Sequence, residues 1–247
     1  VGVMLQVMMS GLVVSLTETR RAYYERNALA EVFASAARVP DAVLGRIGEV
    51  EGVARAVGRV SGRVLFDVAE DPVPIQGQVV SLPDIGPQML NVTYLVEGRL
   101  PVEGRADEAL LLSGFAAAHG YRPGDRVSVT MNGARRSLRV VGLAQAPEFL
   151  FVAAPGEMVP DPARFAVVWM RRAAVAPAYD MEGAFNELLV TVSRGVNERA
   201  VIAALDRLLE PWGGTGAYGR ADLTSDRFVE EEISGLATMA RAVPPLF

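Results

Sequence analysis

Cysteine and lysine are both missing from these 247 residues, and histidine occurs once. Without cysteine there can be no thiolate metal site, catalytic thiol or disulfide framework. The absence of lysine excludes the P-loop amine, Schiff-base chemistry and Ser-x-x-Lys hydrolysis, since each needs an amine at a defined place. A lone histidine, His119, cannot build a multi-histidine metal centre. Every basic residue is arginine, and the net charge of −5 argues against a nucleic-acid partner, which needs clustered positive charge. What is plentiful is apolar surface: 51% of the residues are hydrophobic and 21% charged, the balance of a folded chain. The length suits one large domain or two smaller ones, and neither an internal repeat nor a low-complexity segment interrupts it.

The punctuation by Gly and Pro sets the expected elements. No Gly or Pro occurs from Ser15 to Val39, and good helix formers with i,i+4 pairs such as Arg21 with Glu25 predict one long helix ending near Ala37. Ser15-x-x-Glu18 matches a capping box, but the apolar run before it is itself compatible with a continuous helix. A short amphipathic helix carries Val43, Ile47 and Val50 and stops at Gly52, and Val64, Phe66 and Val68 then alternate as a strand. QVVSL and LNVTYLVEG read as extended pieces. In EALLLSGFAAAHGYRPGDRVSVTMNGARRSLRVVGLA a strand leads to a short helix with Gly120 as its left-handed stop. There follow Pro123-Gly124, suited to a type II turn, and a hairpin turning on Asn132-Gly133. FAVVWM and NELLVTVS are strands, and Asn197 caps a helix with Ile202, Leu205, Leu208 and Leu209 on its core face. WGGTGAYG reads as a flexible break, and Ser225 as the cap of a final helix that grows apolar toward Phe247. A β pattern and helix near each end bracket a β-rich middle, the signature of an insertion into an α+β domain.

The chemistry on offer is thin. His119 as a general base lacks a nucleophile in a G-x-S-x-G setting, and its place before Gly120 suits an interaction with free helix carbonyls. Glu230, Glu231 and Glu232 point around a helix, and Asp67, Glu70 and Asp71 lack a D-x-D-x-D-G loop, so neither group predicts a cation site. No catalytic, cofactor or metal residue is assigned, and no cofactor is expected. The glycine run 213–216 reads as a hinge, and Asn91-Val92-Thr93 matches a glycosylation sequon. The loop PEFLFVAAPGEMVP alternates Phe149 and Phe151 with Leu150 and Val152. Half-buried strand residues are one reading of it; the other makes Phe149, Phe151 and Met158 candidate partner contacts at an apolar tip.

The two ends carry the organisation. VGVMLQVMMSGLVVSL, residues 1–16, is almost uncharged and starts without Met. As a helix it spans about 24 Å, short of a ~30 Å hydrocarbon core, and it lacks the positive start and cleavage site of a signal peptide. It therefore reads as the outer part of a membrane span belonging to a longer protein, and ATMARAVPPLF at the other end repeats the pattern. Val3, Met4, Leu5, Val7, Met8, Leu12, Val13, Val243, Leu246 and Phe247 are the residues expected in lipid.

An apolar stub, the stalk RRAYYERNALAEVFAS, the helix-strand unit PDAVLGRIGEVEGVARA, LPVEGRADEALLLSGFAAAHGYRPGDRVSV, the VVGLA strand, and RFAVVWM through DMEGAFNELLVTV together resemble the extracytoplasmic domain of FtsX-like, MacB-type ABC transporter permeases. The resemblance covers nearly the whole chain and is one of architecture, not of a catalytic motif. It implies an α+β fold: a split βαβ porter-like subdomain (25–68 plus 183–226) holding an inserted β-rich subdomain (69–182), between a membrane-helix end with stalk (1–24) and a second stalk (227–247). It further implies that the chain is not an enzyme and sits on the periplasmic or extracellular side of the cell (inner) membrane. The implied partners are a cytosolic ABC ATPase subunit or domain, a second permease copy, a periplasmic adaptor, and membrane lipid at both ends. Driven by ATP hydrolysis, such a domain would do conformational work on lipid, lipoprotein or peptide cargo. Two other readings stand beside it: the ligand-sensing domain of a membrane receptor, which requires a pocket with convergent polar groups, and a secreted hydrolase using His119.

Overall fold

A computed structural model describes residues 2–68, 73–152 and 161–242. In chain order the elements are α1 (Gly2–Arg26), β1 (Val32–Pro40), α2 (Val43–Gly48), β2 (Val53–Arg59), β3 (Ser61–Asp67), β4 (Ile75–Leu82), β5 (Tyr94–Gly98) and β6 (Glu108–Leu112). They continue with α3 (Ser113–His119), β7 (Arg126–Met131), β8 (Ala134–Gln145), β9 (Ala166–Arg171) and α4 (Arg172–Val175). The last four are β10 (Ala184–Val192), α5 (Glu198–Leu209), β11 (Ala217–Gly219) and α6 (Thr224–Ala242). The class is mixed α+β, as the sequence predicts.

Four strands form an antiparallel sheet in the order β11-β1-β10-β2. β1-α2-β2 and β10-α5-β11 interleave in it, the split β-α-β pattern used twice. Its strands bury alternate residues against α2 and α5: Val32, Ala34, Leu188 and Val190 meet Val43, Ile47, Val201, Leu205 and Leu209. Asn197 caps α5 as expected, its side chain accepting from the Arg199 N–H at 3.1 Å.

The remaining seven strands lie between β2 and β10 in the sequence and form a second sheet. β8 pairs with both β6 and β7, so β3-β4-β9-β6-β8-β7 closes into a barrel, and β5 adds only to the far end of β8. Closure removes the edges that would otherwise be exposed. Phe66, Leu110, Phe115, Val129, Leu138 and Trp169 fill the barrel, each at most 1% exposed. The β7–β8 hairpin turns where Asn132 and Gly133 take φ of 46° and 79°, as a type I′ turn requires. α3 ends on Gly120 with φ 72°.

Several expectations are corrected. The first helix stops at Arg26, and the stretch up to about Ala37 expected to continue it falls instead in β1 (Val32–Pro40), flanked by β10 and β11. The break is local: the Asn27 side chain and backbone both donate to the Tyr23 carbonyl, and Ala28 takes φ 47°. Pairing along both edges and burial of Val32, Phe33 and Val39 outweigh the helix propensity of the alanines. Residues 61–67, expected in the porter-like subdomain, belong to the barrel, because β3 pairs with β4 and β7. The expected break at 212–219 contains the edge strand β11, held by the Asp206 carboxylate accepting from the Ala217 N–H at 2.6 Å. Pro147–Phe149 is a 3-10 turn, not a strand. Ser225 does not cap the last helix: it is buried inside α6, and its hydroxyl accepts from the Phe151 N–H at 3.1 Å.

One staple of the barrel has a pH signature. Glu108 on β6 has a 3% exposed side chain and accepts from Arg99 at 2.6 and 2.7 Å and from the Val102 N–H at 3.0 Å. The Arg99 hydrogen bonds, aided by the Val102 N–H and opposed by burial, hold its carboxyl down at about 2. A depressed folded pKa contributes stability above the unfolded value of ~4.3, and that contribution is lost as pH falls toward 2. Glu108→Gln should therefore lower the melting temperature at pH 7, and the gap to the unsubstituted protein should close as pH approaches 2.

Candidate functional site: a junction of two helices and two sheets

The two ends of the described chain meet on one side of the molecule. Arg20 on α1 donates to Glu230 on α6 at 2.5 Å and lies 4.0 Å from Asp226. The C-terminal part of α1 thus meets the N-terminal part of α6, so the helices run antiparallel. Below this contact Leu16, Tyr23, Val229 and Ile233 from the helices, with Leu150 and Phe151 from the turn after β8, line an apolar groove of about 420 Å³. Among the described residues, no helix is long and apolar enough to cross a membrane.

Where α1 ends, a buried polar cluster joins it to both sheets. Arg59 at the end of β2 donates through both terminal nitrogens to Glu148, at 2.7 and 2.8 Å, and through Nε to Glu187 on β10 at 2.7 Å. The side chains of Arg59, Glu148 and Glu187 are 6%, 3% and 16% exposed. Asn91, from the loop between β4 and β5, donates its Nδ2 to Glu148 and accepts from the Ala30 N–H at 2.8 Å through Oδ1. The Asn91 and Val92 amides then donate to the Ala28 and Asn27 carbonyls at 2.9 and 2.8 Å, where the chain leaves α1. One chain of hydrogen bonds therefore runs from the end of α1 through Asn91 and Glu148 of the seven-stranded unit to Arg59 and Glu187 of the four-stranded sheet. Ala28 and Asn91 both hold left-handed backbone, φ 47° and 49°, which is costly for alanine. Burial alone would lower the Arg59 pKa, but the facing carboxylates more than offset it and raise it; burial pushes Glu148 up against the pull of Arg59.

Burying two carboxylates and a guanidinium costs desolvation that only good geometry repays. The bidentate Arg59–Glu148 pair has that geometry. Such a cluster specifies one relative placement of the pieces it joins, since any slip leaves a charge unpaired.

None of Arg59, Glu148 or Glu187 stands out in the sequence reading. A usable signal exists: Glu148 is the only charged residue between Arg139 and Glu157, and Arg59 and Glu187 interrupt strand patterns. Asn91 is flagged there only as a sequon, yet it is fully buried and bonded at both ends of its amide, so it offers no glycan acceptor in the folded chain. His119 donates from Nε2 to the Ala163 carbonyl at 2.8 Å, tying α3 to the segment before β9, and packs tilted against the Phe115 ring with centroids 4.4 Å apart. Asp67 pairs with Arg135 at 2.8 Å, while Glu70 and Asp71 lie outside the described residues. Among the described residues no group of three acids or histidines could hold a metal ion. Phe149 packs edge-on against Trp169 at 5.9 Å, and Phe151 lines the groove between α1 and α6; both are half-buried. Met158 lies outside the described residues, as do Val243, Leu246 and Phe247; of Val3, Met4, Leu5 and Val7 only the helical backbone is described. Met8 and Leu12 are exposed and Val13 half-buried on α1.

No family model matches this chain, and no curated protein matches it in sequence. Solved structures are similar to it. The periplasmic region of MacB from Actinobacillus actinomycetemcomitans is 13% identical, with 85% of this chain and 95% of that one covered and a TM-score of 0.48. The extracellular domain of the noncanonic ABC-type transporter YknZ from Gram-positive bacteria is 12% identical over 76% of this chain and 98% of that one, with a TM-score of 0.47. A domain of a putative permease protein from Porphyromonas gingivalis is 12% identical over 82% and 96%, with a TM-score of 0.41.

Proposed function

We propose that this chain is the extracytoplasmic domain of an ABC-type transporter permease and that its role is mechanical, relaying motion of two membrane helices to a folded unit outside the bilayer. The observation that carries the reading is the return of the chain to its start. α1 enters and α6 leaves side by side, clasped by Arg20 and Glu230 and wired to both sheets through Asn91, Glu148 and Arg59. In this reading the apolar part of α1, Met8, Leu12 and Val13 included, continues into lipid, and the domain stands on the periplasmic or extracellular face of the cell membrane. A cytosolic ATPase, fused or separate, supplies the work, and a second permease copy completes the transporter. Cargo of the lipid, lipoprotein or peptide class would be handled outside the bilayer. The inventory of side chains agrees: among the described residues the buried charges of Arg59, Glu148 and Glu108 are spent on holding elements together.

The test is purification of the full-length membrane protein from its own cells. The proposal expects an ABC ATPase to copurify in stoichiometric amount, with ATP turnover altered when residues 32–219 are deleted. A full-length protein without such a partner, or with kinase segments after the second stalk, would overturn it in favour of a receptor.

A further inference from the structure

Beside the buried cluster the structure holds a cleft of about 240 Å³ between the four-stranded sheet, the barrel and the first turn of α6. Its lining is unusual in two respects. Phe33, Phe149, Phe151, Phe165 and Tyr218 contribute five aromatic rings, and Phe33 and Tyr218 stack across the sheet edge at 5.5 Å. Among the described residues, charge in the lining comes from Arg59, Glu148 and Glu187, so one guanidinium meets two carboxylates. Glu148 uses both oxygens, receiving two bonds from Arg59 and one from Asn91. Glu187 receives a single bond, from Arg59 Nε to one oxygen, which leaves its other oxygen without a hydrogen bond among the described residues, on the least buried side chain of the three.

From these observations we infer that the cleft is a binding site for a small organic cation, an ammonium or guanidinium group on a short apolar stem. Aromatic faces carry negative quadrupole and attract cations, most strongly where water is excluded. A carboxylate oxygen with an open lone pair supplies the directional contact, while the apolar part of the ring wall takes the stem. An anion would meet the excess carboxylate; a neutral ligand would leave it unpaired. The Tyr218 hydroxyl reports the same field, its pKa being raised by burial first and then by Glu187, with Glu148 adding to it against Arg59. The positive end of α6 lies nearby but carries its own Asp226 in the first turn. Because the cleft touches both sheets and α6, an occupant would bear on the relative placement of all three. The inference concerns binding and stands whether or not the transporter reading does.

The experiment titrates the full chain with n-butylammonium, n-butanol and butyrate, read by calorimetry or ligand-observed NMR. Saturable binding of butylammonium, with neither butanol nor butyrate bound, is expected. Glu187→Gln should weaken it at least tenfold, because the amide can still accept from Arg59 but carries no charge. Phe165→Leu keeps the bulk and removes the π face; its expected loss is about fivefold, and it serves if the Glu187 variant does not fold. Absence of saturable butylammonium binding would overturn the inference. So would equal binding of butanol, or unchanged affinity in both variants.

Discussion

Replacing Arg59 with alanine should destabilise the domain by about 3–5 kcal/mol, because it leaves the Glu148 carboxylate buried with no cation beside it. For a chain of this size that is a fall in melting temperature on the order of 10 °C, measurable by calorimetry or circular dichroism. The magnitude comes from the orphaned partner and not from the pair's net worth. It follows that removing both charges should hurt less than removing one: Arg59→Met with Glu148→Met should recover part of the loss, the remainder coming from Glu187 without its guanidinium and Asn91 Nδ2 without its acceptor. Arg59→Lys should fall between, keeping the charge but losing the two-pronged contact. A cost below about 1 kcal/mol for Arg59→Ala, the range of exposed ion pairs, would mean that water reaches the cluster and that it does not fix the junction.

Asn91→Ala is the second large effect, about 3 kcal/mol, and it has two separable sources. The buried Ala30 N–H loses its acceptor and Glu148 loses a donor, worth about 1–3 kcal/mol. Alanine must also hold the left-handed φ of 49° that asparagine tolerates, worth about 1–2 kcal/mol. Asn91→Gly removes the second source only, so it should be milder than alanine by about 1 kcal/mol. Asn91→Asp keeps the acceptor for Ala30 but sets another carboxylate against Glu148, and should be at least as damaging as alanine. Amide exchange should locate the damage: Ala30, Asn91 and Val92 should lose protection before the barrel does.

What could be read from the sequence divides by the range of the interactions. The β7–β8 hairpin, the Gly120 stop and the Asn197 cap are legible because each depends on residues two to four apart. The split β-α-β frame is legible only as a bracket, two β-and-helix units around a β-rich middle. β1 is hidden because AEVFASAARV favours a helix locally, and its strand character comes from β10, paired more than a hundred residues away. The cluster is hidden for the same reason: Arg59 meets Glu148 and Glu187 across separations of 89 and 128 residues, and no local pattern announces them. His119 shows the reverse, since its position before a helix stop explains most of its setting and the structure adds only the Ala163 carbonyl.

The central proposal, that motion of α1 and α6 is relayed to the domain and requires their clasp to open, can be put to one direct measurement. These 247 residues hold no cysteine, so in the full-length protein, with any cysteine outside them replaced by serine, Arg20→Cys and Glu230→Cys give a single reactive pair across the clasp. Bridging the pair with a short cleavable bis-maleimide should abolish ATP-coupled transport activity in reconstituted membranes, and cleaving the bridge should restore it, with the uncrosslinked double variant remaining active. Transport that continues unchanged with the two helices covalently joined would contradict the account.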